Sequence, residues 1–545
     1  MDHRNENSAA GAPQAPVPLH ELARIAGADV ASSADNGWAG VAISSVGLNA
    51  REVAPGGLFA ALPGTRVHGA QFAAESPARA ILTDREGLDI VEAAGDRRPV
   101  LVVDDVRAVL GEVSAHVYGH PSRRMTLIGV TGTSGKTTTT YLLERGLIAA
   151  GAQVGLIGTT GTRIRGRDVP TSLTTPEAPT LQALFARMAA EGVTHVVMEV
   201  SSHALSLGRV DGTSFDAAGF TNLSQDHLDF HPTMDDYFQA KAAFFDPSSP
   251  VAASASVVCV DDEWGERMAE LASHPLRVGT HGQEGLDCSA RLTAVRDNGA
   301  QDIELRIDGQ THEFTLPLPG AFNVANAALA TALARVVGAD MPQFVRGLEN
   351  AAVPGRMERI DAGQDFVAVV DYAHKPAAIA AVLETLREQV DGRIGIAVGA
   401  GGDRDTTKRA VMGQQAATRA DLVIVTDDNP RTEDPAAIRA AVLRGAREAG
   451  SGAEIRECGP RAEAIDQLVA WALPGDAIVV VGKGHEVGQI VGDTTHHFDD
   501  REEMRRALAD NGYGENDAHG THQPDGLHGP QELADGKDFF AHDPT

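Results

Sequence analysis

The chain is short of cysteine, short of basic residues and free of long apolar runs. Cys259, Cys288 and Cys458 are its three cysteines in 545 residues. Their spacing offers neither a metal-binding pattern nor a paired framework, which fits a reducing cytoplasm. Lys and Arg number 46 against 75 Asp and Glu, giving a net charge of −29. Nucleic acids and anionic membrane surfaces need a basic face, so this balance argues against both as partners. An anionic substrate must instead be captured locally, by a few Arg, Lys and helix N-termini. No apolar run is long enough to cross a bilayer. The N-terminus lacks a basic stretch followed by an apolar core, so no signal peptide is read there. The rest is 43% hydrophobic and 22% charged, ordinary for a soluble globular chain with material for several cores. The length predicts about three to four domains.

The most informative segment is Met125-Thr-Leu-Ile-Gly-Val-Thr-Gly-Thr-Ser-Gly-Lys-Thr-Thr-Thr139. An apolar strand runs into a Gly-Thr-x-Gly-Lys-Thr loop that opens a helix. Such a loop points successive backbone N–H groups at a polyphosphate, and the helix N-terminus adds positive potential. Gly132, Thr133, Ser134, Gly135 and Thr138 would form the cradle. Lys136 would reach the terminal phosphates and Thr137 would hold Mg²⁺. The strict pattern has Gly where this chain has Val130. A tight glycine turn without a nucleotide is the plainer alternative. It leaves Gly-Lys-Thr-Thr at a helix start without a reason.

Residues 1–16 are polar, rich in Ala and Pro, and read as disordered. Residues 17–124 read as a small α/β domain. Its strand candidates are Ala80–Thr83 and Val100–Asp104, its helix candidates His20–Ala26 and Val106–Tyr118. His120–Arg124 reads as a linker. Residues 125–353 begin with the phosphate loop and alternate helical and strand segments, as in a doubly wound parallel sheet. Thr194–Val200 is a buried strand ending in Glu199, and Gly320 opens a helix. Residues 354–510 form a third α/β unit with strands beginning near Arg393, Asp421 and Asp476. Each runs into a polar or Gly-rich loop. In an open parallel sheet ligands bind outside the carboxyl ends of the strands, so these three loops are expected to line one crevice. Residues 511–545 read as a disordered acidic tail whose scattered histidines are solvated.

Several positions can carry chemistry. Glu199, at a strand end beside the phosphate loop, can face Mg²⁺ or serve as an ion-pair partner. Ser201-Ser-His203 after it suits close ligand approach. Thr221–His231 is dense in metal-capable groups, His227 among them. Lys241, on a helix read over Tyr237–Phe245, is by itself a surface lysine. Arg356 and Glu358 follow Pro354-Gly355. Val369-Val-Asp-Tyr-Ala-His374 is a strand ending in an acid, an aromatic and a base. A Ser/His/Asp hydrolase has no nucleophile elbow here to support it.

Taken in order, these motifs closely resemble the ATP-dependent Mur ligases of peptidoglycan synthesis. The matching segments are Thr131-Gly-Thr-Ser-Gly-Lys-Thr-Thr, Met198-Glu-Val-Ser-Ser-His, Thr221–His231, Tyr237-Phe-Gln-Ala-Lys and Gly320-Ala-Phe-Asn-Val-Ala-Asn. Further along come Gly355-Arg-Met-Glu, Asp371-Tyr-Ala-His, Gly402-Asp-Arg, Asp428-Asn-Pro-Arg and Gly482-Lys-Gly-His-Glu. They cover the chain from about residue 40 to 505. The resemblance implies three domains: an N-terminal UDP-binding α/β domain, a central P-loop ATPase-type sheet and a C-terminal Rossmann-like domain. It is nearest to the ligase that adds a diamino acid to UDP-N-acetylmuramoyl-L-alanyl-D-glutamate. A substrate carboxylate would take the γ-phosphoryl group of ATP, and the amine of the incoming amino acid would displace phosphate.

By the same resemblance, Glu199, His227 and a CO₂-derived carbamate on Lys241 would face Mg²⁺ with Thr137. Asn323, Arg356 and Asp371 would hold adenine, phosphate and ribose. Thr174, Thr175, Ser201 and Arg209 would touch the UDP-muramoyl dipeptide, with Leu48 and Ala50 in the N-terminal domain. There the family shows Asp-Ser-Arg and this chain has Asn49-Ala-Arg51, which points to backbone groups and the Gly64–Gly69 loop for the diphosphate. Arg404, Asp428, Asn429, Pro430, Arg431, Gly482 and Glu486 would choose the amino acid. Asp-Asn-Pro-Arg goes with meso-diaminopimelate. A guanidinium clamps the carboxylate that lysine lacks, and Glu486 would take the distal ammonium. If Arg431 pairs with Glu433 or Asp434 instead, the site would suit L-lysine or L-ornithine. A sister Mur ligase, a folylpolyglutamate synthase and a nucleotide-dependent scaffold are the other readings. A cytoplasmic monomer is expected.

Overall fold

Short apolar runs bounded by polar loops become buried parallel strands in each of three units, and one sheet dominates each unit. The computed structural model describes residues 15–31, 38–64, 66–171, 173–228, 230–296 and 299–514. Of the segments read as disordered, residues 1–14 and 515–545 lie outside the described residues.

The first sheet has five strands in the order Asp29–Ala31, Val100–Val102, Ala80–Thr83, Leu58–Ala60, Val46–Gly47. All neighbours are parallel except the first pair. Helices Leu19–Ala26, Arg85–Ala93 and Val106–Val117 accompany it. Asp84 and Asp105 start the last two by accepting hydrogen bonds from Gly87 N (2.8 Å) and Arg107 N (2.8 Å). The segment His120–Arg124 is not a loose linker. Pro121–Arg124 is a 3₁₀ turn with Pro121 and Ser122 buried, and Ser122 Oγ accepts from Ser214 N at 3.2 Å. Proline at the first position pre-sets the turn.

The second sheet has eleven strands. From Val154–Gly158 they run through His195–Glu199, Thr126–Thr131, Ala217–Phe220, Ala255–Cys259 and Leu276–Gly279 to Cys288–Val295, all parallel. Hairpins extend both edges antiparallel: Gly161–Ile164 with Arg167–Val169, and Gln301–Ile307 with Gln310–Leu316. The parallel body of the sheet expected from the sequence is thus flanked by antiparallel edges. Gln301–Ile307 alternates buried with less buried residues, the mark of a sheet with one wet face. Thr126–Thr131 lies between His195–Glu199 and Ala217–Phe220, both later in the chain: the strands after it are laid down first on one side and then on the other, so the winding reverses beside it. That switch point is where open α/β sheets bind ligands.

The third sheet has six strands in the order Glu358–Arg359, Val367–Asp371, Ala477–Val481, Ile394–Val398, Leu422–Val425, Glu454–Glu457. Only the first is antiparallel. The three apolar strands singled out in the sequence are immediate neighbours, each fully buried. Their carboxyl-end loops consequently lie side by side.

A buried ion pair closes this unit. Arg461, at the start of helix Arg461–Trp471, donates through Nε and Nη2 to both carboxylate oxygens of Asp500, each at 2.7 Å. Both side chains are fully enclosed. Arg461 Nη2 also donates to the carbonyl of Val481 at 2.9 Å, the last residue of a central strand. Arg461→Met would leave the Asp500 carboxylate buried without its partner. The expected loss is about 3–5 kcal/mol of stability, read by denaturant unfolding of the full chain. A loss under about 1 kcal/mol would mean that the pair behaves as a surface contact.

Candidate active site

The loop between Thr126–Thr131 and helix Lys136–Ala149 is built on two glycines that no other residue could replace. Gly132 has φ +145° and Gly135 φ +90°, a region that L side chains rarely adopt. A Cβ on Gly132 would lie 1.9 Å from Thr221 Oγ1, and one on Gly135 would lie 2.4 Å from Asn326 Oδ1. The helix has no side-chain N-cap, so its first N–H groups face the cleft. Thr133 Oγ1 is pinned by Ser224 N (3.0 Å), and Ser134 N donates to Asn222 Oδ1 at 3.0 Å.

Three lysines converge beneath and beside this loop. Lys136 Nζ donates to the carbonyls of Gly132 (2.9 Å) and Thr133 (3.1 Å). Lys241 Nζ donates to the same Gly132 carbonyl at 2.9 Å. Lys375 Nζ, from the third unit, donates to the same Thr133 carbonyl at 3.1 Å. Burial and the neighbouring Lys375 push Lys136 down to about 8. Burial, with Lys136 and Lys375 nearby, holds Lys241 well below the usual lysine range. Lys241 is not the surface lysine that the bare sequence suggests: it is 1% exposed and sits 4.6 Å from the Tyr237 ring centroid. Its helix spans Met234–Ala242 rather than Tyr237–Phe245, because the Thr233–Asp236 capping box fixes an earlier start. Lys241 and Gly132 lie under the loop, while Thr133–Thr138 line the cleft itself, which encloses ≈ 1000 Å³.

Glu199 is nearly fully buried at its strand end. Its carboxylate accepts from Thr137 Oγ1 (2.9 Å), Thr159 N (2.9 Å) and Thr159 Oγ1 (3.1 Å). A hydroxyl and a carboxylate this close, beside a phosphate loop, are the donor set that Mg²⁺ takes when substrate phosphates and waters complete its shell. Among the described residues no three His, Cys, Asp or Glu form a closed metal cage. The set fits a shared Mg²⁺ rather than a structural ion. Half-buried His227 has φ +54° and lies 3.1 Å from Asp226, and burial pushes its imidazole down to about 3. It is therefore a neutral ring available as a ligand.

The third-unit loops meet as the sequence predicts. Gly399–Gly401, Arg404, Asp428, Asn429, Arg431, Gly482 and Glu486 share the cleft wall. Gly402 allows this approach, since its Cβ would lie 1.9 Å from the Pro430 carbonyl. Pro430 itself packs these loops and is not part of the wall. Arg431, at φ +53°, donates through Nη1 to the Gly402 carbonyl at 2.7 Å. Glu433 is taken by Arg409 (2.8 and 2.9 Å), and Asp434 caps helix Pro435–Glu448. Neither carboxylate is bound to Arg431, whose side chain lines the crevice. Asn429 Nδ2 donates to Glu486 Oε2 at 3.0 Å. Burial and nearby Asp428 raise the Glu486 carboxyl above its ordinary range.

Other expected residues fall on the same wall. Arg356 Nη2 donates to Thr137 Oγ1 at 3.1 Å, and its guanidinium stacks 4.4 Å from the Tyr372 ring. Asp371 accepts from Met357 N and Ala373 N at 2.6 and 2.7 Å. Asn323 is held by Pro319 O (2.7 Å) and Asn326 Nδ2 (3.0 Å). Thr175 Oγ1 bridges the Glu199 carbonyl (2.9 Å) and Ser201 N (3.2 Å), Arg209 Nη1 donates to Thr175 O at 3.3 Å, and Thr174 pairs with Thr159 at 3.1 Å. Leu48 and Ala50 are not brought to this wall. Ala50 belongs to a small core with Val53 and Phe59, and Asn49 Oδ1 accepts from Arg51 N at 3.1 Å.

Sequence reasoning missed two cations. Lys375, just after the quoted Asp371-Tyr-Ala-His, pairs with Asp226 at 2.7 Å across the cleft. Lys483, inside the quoted Gly482-Lys-Gly-His-Glu, is fully enclosed and donates to Asn429 Oδ1 (3.0 Å) and Gly488 O (2.6 Å). It also lies 3.7 Å from both Asp428 and Glu486. A buried lysine facing two carboxylates was the available signal, but their pairing is visible only in three dimensions.

The glycine geometry gives a direct test. Gly132→Ala is expected to weaken nucleotide binding at least about tenfold by displacing Thr221 and the loop, read by titration calorimetry with an ATP analogue and Mg²⁺. Unchanged affinity would detach this loop from nucleotide binding.

Known proteins match along this whole frame. Residues 42–118 match the Mur ligase family, catalytic domain; residues 130–334 match the Mur ligase middle domain; residues 355–484 match the Mur ligase, glutamate ligase domain. The UDP-N-acetylmuramoyl-L-alanyl-D-glutamate--2,6-diaminopimelate ligase of Corynebacterium glutamicum is 65% identical over 86% of this chain and 92% of its own length. The ligase of the same name from Corynebacterium efficiens is 60% identical over 92% and 98%. A solved ligase of that name superposes with a TM-score of 0.62 at 31% identity, covering 91% of this chain and 99% of its own. The three matched domains lie in order on the three sheets, the second and third of which build the cleft, and the chain belongs to the Mur ligase family.

Proposed function

We propose that the chain uses ATP and Mg²⁺ to join meso-2,6-diaminopimelate to the D-glutamate side chain of UDP-N-acetylmuramoyl-L-alanyl-D-glutamate in peptidoglycan precursor synthesis. The observation that carries this reading is one cleft that holds both a phosphate loop ringed by lysines and an amino-acid pocket of mixed charge. The units 17–124, 125–353 and 354–510 then take the uridine nucleotide, ATP and the amino acid. Leu48 and Ala50 belong to the first substrate's grip, with Thr174, Thr175, Ser201 and Arg209. Asn323, Arg356 and Asp371 serve ATP. We read the protein as a cytoplasmic monomer.

The D-glutamate carboxylate attacks the γ-phosphorus, an acyl–O–P bond forms, and ADP leaves with the electron pair of the broken bond. The diaminopimelate amine then attacks the acyl carbon, loses a proton, and inorganic phosphate departs. Lys136 and Arg356 place positive charge where it develops on the transferring group. Thr137, Glu199 and His227 would hold Mg²⁺, which supplies charge neutralisation and in-line alignment when bound. The suppressed charge of Lys241 favours the neutral amine that can attack CO₂. The resulting carbamate, formed with loss of a proton, exchanges a cation for an anion. Arg431 and Arg404 face the substrate carboxylates, and Glu486, Asp428 and Asn429 face its ammonium.

The test is phosphate release from ATP with the UDP-muramoyl dipeptide, offering meso-diaminopimelate, L-lysine and L-ornithine separately. Release with diaminopimelate alone is expected. Release with lysine or ornithine would replace the amino-acid assignment, and no release with any would remove the ligase reading. Arg431→Ala is expected to raise KM for diaminopimelate at least about tenfold without a matching effect on ATP; equal effects would contradict a carboxylate clamp. Lys241→Ala is expected to be nearly inactive and partly restored by short carboxylic acids. Undiminished turnover in that variant would end the carbamate reading.

A further inference from the structure

Lys375 is unused by the reaction as outlined, yet it reaches from the third unit onto the phosphate loop of the second. It immediately precedes Pro376, the first residue of helix Pro376–Arg387. Proline fixes the helix start at that position, and Lys375, extended at φ −127° with no side-chain cap bond, projects back over the phosphate loop. Its ammonium donates to Thr133 O at 3.1 Å, the carbonyl that Lys136 also uses at 3.1 Å. Two ammonium groups from different units therefore meet on one oxygen of the loop. Asp226, on the loop after strand Ala217–Phe220, lies 2.7 Å from Lys375. Lys136, Lys375 and Arg356 bring three cations to this neighbourhood, against the carboxylates Glu199 and Asp226. A surplus of buried positive charge is stabilised only by an anion of matching charge.

We propose that Lys375 is a γ-phosphate contact supplied by the third unit, so that the terminal phosphoryl group itself draws the amino-acid-binding unit onto the ATP-binding unit. This rests on the ligase reading of the cleft and adds a residue to it. ADP lacks the group that Lys375 would meet. During transfer the phosphorus–oxygen bond to ADP breaks as the bond to the carboxylate oxygen forms. Lys375 stays on the moving phosphoryl group, while Lys136 bridges it to the departing diphosphate. A lysine serving only as an Asp226 partner would support the fold equally whichever nucleotide is bound.

The experiment compares Lys375→Met and Lys375→Arg in the full chain. Binding of ADP and of a non-hydrolysable ATP analogue, each with Mg²⁺, is measured by calorimetry, and turnover is followed with all three substrates. In Lys375→Met the ATP analogue is expected to bind about tenfold more weakly, with ADP affinity within about twofold of the parent. The kcat is expected to fall about a hundredfold or more, with KM for the amino acid unchanged. Lys375→Arg is expected to recover part of the preference for the ATP analogue over ADP. Equal weakening of both nucleotides, or no change in either, would overturn the proposal, and the arginine variant decides the matter should the methionine variant fold poorly. Nucleotide preference needs no acceptor. Failure of the parent to ligate any amino acid would thus count against the ligase reading without imitating either outcome for Lys375.

Discussion

Like charges gathered out of water set the terms for the whole cleft. Lys136, Lys241 and Lys375 share two adjacent carbonyl oxygens, those of Gly132 and Thr133. Each amine loses solvation there, and Lys136 and Lys375 oppose each other, an arrangement that a polyanion stabilises. The rest of the molecule is arranged to permit it. Glycines with positive φ bring the loop carbonyls inward, a central strand sets the loop at the sheet's reversal point, and Pro376 sends a lysine across from another unit. The net charge of −29 lies outside this pocket. It gives no general attraction for anions, so specificity for phosphate comes from local geometry.

The amino-acid end of the cleft obeys a different rule. Its charges alternate instead of accumulating: Arg431 and Arg404 on one side, Asp428 and Glu486 on the other, with Lys483 enclosed between the two acids. Lys483 also fixes Asn429. By donating to its Oδ1, it obliges the amide nitrogen to face Glu486. Such a pocket suits a molecule carrying both ammonium and carboxylate groups, because each charge finds an opposite and none is left unpaired.

Much of this was legible in the sequence, and what was not has a common cause. The phosphate loop could be read because its function depends on backbone shape, which glycine spacing reports directly. The three parallel strands of the third unit could be read because strands buried on both faces are continuous apolar runs. Their loops could be placed together because parallel sheets deliver loops to one edge. Lys241 could not be read by pattern, since a lysine on a short helix looks the same whether it faces water or the underside of Gly132. Only family likeness drew attention to it. Lys375, Lys483 and Arg461 depend on partners brought close by folding, such as Asp226 and Asp500. The antiparallel hairpins at the edges of the central sheet were lost among alternating polar residues, which resemble loops when read singly. Ala50 stands apart: its methyl fills a small core, and nothing in the structure explains why this chain departs from the family's serine.

The pair formed by Arg461 and Asp500 reaches beyond stability. Arg461 holds the end of the strand whose next residue is Gly482, and its partner sits on helix Asp500–Asp510. During synthesis the ATP cradle can be complete long before residue 500 leaves the ribosome, whereas the amino-acid pocket cannot. A nascent or truncated chain would thus carry a nucleotide site with no acceptor site beside it. The second half-reaction becomes possible only when helix Asp500–Asp510 docks, so the order of the domains along the chain makes the acceptor pocket the last part of the catalytic cleft to mature.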